Sequence, residues 1–109
     1  MKLSGLFARR DSQQVWAALG TACADGTDER YRAEAKHAVL VMVCATESET
    51  ESKVVALLEA NGWNGTILTN LKLLSNPFSS EDPDMRACYK AAVNEDGGII
   101  IYSDEIRDQ

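Results

Sequence analysis

The chain has 109 residues, of which 45% are apolar and 26% charged, and its formal net charge is −6. That is the profile of a single globular domain spanning 1–109 and long enough to bury a core without staples. The acidic balance argues against nucleic acid, because neutralising phosphates takes clustered Lys and Arg. No apolar run approaches the roughly 20 residues of a membrane-spanning helix. The polar start, Met1 to Arg10, lacks a signal-peptide core, so the expectation is a cytoplasmic protein with no membrane contact.

The charge is unevenly spread. Residues 1–36 carry six basic and five acidic side chains, while residues 37–109 carry five and twelve. Cys23, Cys44 and Cys88 are odd in number and widely spaced, which reads as three thiols in apolar patterns rather than a disulfide frame. With no C-x-x-C pair and one histidine, His37, no metal and no cofactor are expected.

In chain order, residues 1–10 are ambiguous. Leu3, Leu6 and Phe7 could open a helix, or Lys2 to Ala8 could form a short strand broken by Gly5. From Asp11 or Ser12 as N-cap, Val15, Trp16, Leu19 and Cys23 recur at helical spacing and predict an amphipathic helix over 12–24, ended by Gly26. Residues 27–37 pull two ways: composition favours helix, but Tyr31, Ala33 and Ala35 alternate with Arg32, Glu34 and Lys36. The alternation favours a strand that runs on without a break into Ala38.

Ala38 to Ala45 is apolar at every position, which predicts a central strand covered on both faces. Thr46 or Ser48 then caps a helix over 48–61, with Ser48-Glu49-Thr50-Glu51 in the form of a capping box. Val54, Leu57 and Leu58 form its inner stripe, and Gly62 stops it in the left-handed region with Trp63 packing back. Asn64-Gly65 reads as a turn and 66–74 as a Leu-rich strand. After the loop 75–81, Asp82 caps a helix with Pro83 at its first position. Met85, Cys88, Tyr89, Ala92 and Val93 follow its buried stripe. Asp96-Gly97-Gly98 turns the chain into a strand over 99–102, and the end, 104–109, is expected to fray, as is 1–10.

This order predicts an α+β fold, an α/β-like two-layer sandwich. A mixed sheet of three to four strands would carry two to three amphipathic helices. The Leu-rich strand would leave apolar surface uncovered, which predicts a homodimer.

If strands 38–45 and 66–74 run in one direction, their C-terminal ends share one end of the sheet, where open sheets bind ligands. That brings together Thr46, Glu47 and Ser48 with Asn76, Phe78, Glu81 and Asp82. Two helix N-termini there would suit phosphate. However, Glu47, Glu49, Glu51, Glu81, Asp82 and Asp84 gather on the same rim, and no glycine-rich phosphate loop is present. A basic protein or a cationic small molecule fits better. A divalent-cation site on Glu81, Asp82 and Asp84 is disfavoured, since Asp82 serves as cap and the spacing of a calcium loop is missing. Phe78 would either plug the sheet edge or meet the ligand. The function expected is therefore non-catalytic binding. The alternative is a small-molecule enzyme using His37 or Glu47 as acid/base, since only histidine titrates near neutrality unaided. No nucleophile elbow or activated cysteine supports covalent catalysis.

Overall fold

The computed structural model describes residues 14–75 and 78–106. The expectations for 1–10, for Asn76 and for 107–109 lie outside the described residues. The elements are β1 (Gln14–Ala24), β2 (Lys36–Ala45), a 3-10 turn (Glu47–Glu49), α1 (Thr50–Ala60), β3 (Trp63–Leu73), α2 (Pro83–Asn94) and β4 (Gly98–Glu105). The four strands form one sheet in the order β3-β1-β2-β4. This is an α+β fold, as expected. Every ladder is antiparallel, so the sheet is not mixed.

The principal correction concerns 12–24, which is not a helix: its described part forms β1. Val15, Trp16, Leu19 and Cys23 satisfy helical spacing, but the segment satisfies a period of two as well. Ala18, Ala22 and Ala24 alternate on one face and are buried, while Val15 is buried on the other. Pairing with strands on both sides overrides the helix preference of alanine. Gly20 lies where a β-carbon would collide with the Ile67 carbonyl, at a bulge where β3 inserts a residue between Leu68 and Asn70.

A second correction concerns 27–35, which form turns rather than strand, so that β2 begins only at Lys36. Two backbone bonds close this connection, Ala24 N–H to Ala35 O at 2.9 Å and Glu34 N–H to Ala24 O at 2.7 Å. Glu34 takes a left-handed φ of 68° to make the return.

Residues 38–45 lie within the central strand, as the unbroken apolar run predicts. One face, carrying Val39, Val41 and Val43, packs under Val54 and Leu58 of α1. The opposite face, carrying Leu40 and Met42, packs under Cys88 and Ala92 of α2. The helices therefore sit on opposite faces, and the arrangement has three layers rather than two. Alternate side chains of an extended strand feed separate cores.

Helix α1 starts differently from the capping-box reading. Thr46 makes no side-chain cap bond; its carbonyl instead receives the Glu49 amide at 3.1 Å and the Thr50 hydroxyl at 2.9 Å. Its C-terminal end is as read: Gly62 stands at φ 90° and Trp63 is buried. Asn64-Gly65 is not a free turn but an irregularity inside β3. Helix α2 begins at Pro83, with the Asp82 carboxylate accepting from the Asp84 amide at 2.9 Å. In its stripe Cys88 and Ala92 are buried, but Val93 is exposed. Strand β4 continues through Glu105, so 104 and 105 belong to the sheet rather than to a frayed end.

Candidate functional site

Strands β2 and β3 are each antiparallel to β1 and so run in the same direction, with β1 between them. Ala45 lies opposite Gln14, and Leu73 lies opposite Trp16. The Leu74 amide donates to Val15 O at 3.0 Å. Thr46 and Ser75 thus leave the same end of the sheet about 10 Å apart, two strand spacings.

The individual residues take different roles. Thr46 is half-buried and holds the turn into α1 through its carbonyl. Glu47 and Ser48 are exposed on the 3-10 turn. Phe78 is half-buried and stacks on Tyr89, centroids 4.7 Å apart and planes 13° off parallel. It joins the core under α2 and so plugs the sheet edge. Glu81 is exposed, and Asp82 caps α2. Glu49 and Glu51 are exposed beside Glu47, whereas exposed Asp84 lies along Ile99 and Ile100, which pair with Val41 and Leu40, on the opposite face from α1, so the acidic residues of the two helix starts are not brought together. Two cations, one on each helix, are already engaged with carbonyls. Lys53 Nζ donates to Cys44 O at 3.1 Å and lies 4.0 Å from Glu49, while Arg86 donates to Ser80 O at 2.9 Å.

His37 sits at the other end of β2. It is only 2% exposed, packed edge-on against Tyr31 and Trp63 at centroid distances of 5.1 and 5.5 Å. Its Nδ1 lies 2.8 Å from the Tyr102 carbonyl, which can only accept, so that nitrogen carries the proton. Among the described residues, Nε2 is buried without a hydrogen-bond partner. Eight strand positions separate His37 from Ala45, roughly 27 Å. His37 and Glu47 are therefore not parts of one site.

Known protein families, curated proteins and solved structures yield no match to this chain.

The remaining chemistry is quiet. Burial pushes the Cys88 thiol up to about 11, against the hydrogen bond at the Met42 backbone that lowers it. Cys23 and Cys44 are half-buried free thiols. Among the described residues no group of three His, Cys, Asp or Glu is placed to hold a metal, and no helix is long and apolar enough to cross a membrane.

Two of the concavities among the described residues escaped the sequence reading. One, of about 470 Å³, lies between α1 and the C-terminal end of α2, with Cys44, Lys53, Glu95 and Asp96 among its lining residues. The other, of about 410 Å³, runs between α2 and β4 and is lined by Asp84, Ala87, Cys88, Ala91 and Gly97 to Ile100. The one available signal was the spacing of Asp84, Ala87 and Ala91, a helical row of small residues beside the buried stripe.

Proposed function

We propose that this chain is a small non-catalytic binding protein whose acidic sheet end engages a basic protein surface or a cationic small molecule, working as a cytoplasmic homodimer. The observation that supports the reading is the run of exposed carboxylates Glu47, Glu49 and Glu51 at the sheet end, with exposed Glu81, Asp82 and Asp84 at the start of α2 on the other face. Lys53, beside Glu49, and Arg86, in the first turn of α2, are turned to backbone carbonyls. A surface of one sign attracts its opposite at a distance and speeds encounter. The acid/base alternative has less support, since His37 is sealed from solvent and lies far from Glu47.

Self-association is supported by the outer strand β3, where Ile67 is 58%, Leu73 43% and Leu71 37% exposed. Exposed aliphatic groups clustered on one strand favour contact with another apolar surface.

The test is thermal unfolding with spermine. Stabilisation in about 0.01 M salt that disappears near 1 M, as the screening length shortens, supports the acidic-end reading. Stabilisation by phosphate or neutral metabolites alone would sink it. Sedimentation across a concentration series decides the dimer separately.

A further inference from the structure

Strand β4 is the last strand of the sheet, and among the described residues its outer edge carries no partner. Alternate residues of an edge strand turn N–H and C=O groups outward, a template for another extended chain. Alongside this edge, α2 presents Asp84, Ala87, Cys88 and Ala91, and the groove between helix and strand has a volume of about 410 Å³. The spacing of those four residues is that of one helical face. Three of them are small, so the helix forms a wall without filling the space. The volume falls within the range of roughly 300–1,000 Å³ typical of ligand sites.

Charge selects the occupant. Among the described residues the groove has one ionised lining residue, Asp84, and Glu81 and Asp82 stand just before it at the start of α2. The cations of that helix, Arg86 and Lys90, fall on its other side by helical rotation. Arg86 is also engaged with Ser80 O.

We infer that the α2–β4 groove takes an extended basic segment of a partner protein, added to the sheet as a fifth strand beside Gly98 to Ile101. A Lys or Arg of that segment reaches Asp84. This is strand addition, in which main-chain hydrogen bonds supply affinity and side-chain contacts supply selectivity. The inference rests on the reading of a basic partner and gives that partner a conformation and a seat.

The experiment uses the full isotope-labelled chain and the peptide acetyl-Lys-Val-Lys-Val-Lys-Val-amide, followed by amide NMR. Two comparison peptides carry Glu for Lys, or N-methyl groups at alternate residues. Shifts should centre on 84–91 and 98–101. N-methylation should weaken binding by about tenfold or more, as expected from the loss of one or two hydrogen bonds. Ala87→Trp, at an exposed helical position where thermal unfolding checks the fold, should block the groove. Asp84→Asn should weaken binding less and flatten its salt dependence. If the N-methylated peptide and Ala87→Trp bind as well as their parents, with shifts at 46–49, the groove is overturned while the charge reading stands. No binding by any basic peptide overturns both. Outward amides of Gly98 to Ile101 already protected in the free chain would assign the edge to the chain itself or a second copy, and would also overturn the inference.

Discussion

Gly98 lies directly beneath Cys88. A β-carbon added at Gly98 would stand 2.5 Å from the Cys88 carbonyl oxygen and 2.8 Å from its Cα and Sγ. The backbone of α2 therefore rests on the backbone of β4, and this contact sets how deep the adjoining groove can be.

Gly98→Ala should accordingly destabilise the fold by about 1–3 kcal/mol, the usual cost of forcing a methyl group into a packed contact. The close neighbours are main-chain or short side-chain atoms with little freedom to move. Urea unfolding measures the loss. A variant as stable as the parent would mean that the helix can lift off the strand.

Substituting His37 probes the opposite end of β2. His37→Ala removes a ring packed against Tyr31 and Trp63 and leaves the Tyr102 carbonyl without its donor. The expected cost is about 2–4 kcal/mol, from the cavity and the lost bond together. Glu47→Gln, on an exposed turn, should stay within about 0.5 kcal/mol of the parent. The same Glu47 variant should be stabilised less by spermine at low salt. Thermal and urea unfolding of the two variants, side by side, check the contrast.

What the sequence disclosed depended on how local the determining contact was. Ala38 to Ala45 could be read because an unbroken apolar run needs cover on both faces. The start of α2 could be read because Asp82 and Pro83 act within one turn. Segment 12–24 could not, since Val15, Trp16, Leu19 and Cys23 fit a helix while burial of Ala18 and Ala22 depends on strands not yet placed. The role of His37 was equally hidden: its hydrogen-bond partner, Tyr102, lies 65 residues away. Of the candidate residues, Asp82 could be read as a cap and Phe78 as a plug from local sequence. The α2–β4 groove exists only because β4 ends the sheet, and strand order is not written in hydrophobic period.

Cys88 makes a prediction at alkaline pH. Burial raises its thiol from 9.0 to about 11. Below the ordinary value of 9.0 both folded and unfolded chains hold the proton, and the contribution to stability is complete. Between the two values the unfolded thiol ionises and the folded one resists, so stability falls as pH rises through about 11. Cys88→Ala should flatten this part of the pH–stability curve. A disulfide-exchange reagent near pH 8 should modify the half-buried Cys23 and Cys44 before Cys88.

Acid should loosen the connection between β1 and β2 before the sheet itself. The Asp28 carboxylate accepts from Arg30 through its side chain, at 2.7 Å to Nη2, and from its amide at 3.0 Å. These bonds hold Asp28 below the ordinary carboxylate value, and bonds from Thr27 do the same for Asp25. A depressed folded value means stabilisation that is present above the unfolded pKa and lost as pH falls through the folded one. Both groups face water, so the global effect is small and screened by salt. The local effect is legible because Tyr31, next to Arg30, packs on both His37 and Trp63. The Trp63 indole resonance should therefore shift in acid while the amides of Val39 to Val43 keep their native positions. Asp28→Asn should show part of that shift already at neutral pH, because the amide keeps weaker hydrogen bonds and loses the charge. A Trp63 resonance that moves only together with the β2 amides would mean that the connection and the sheet open as one unit.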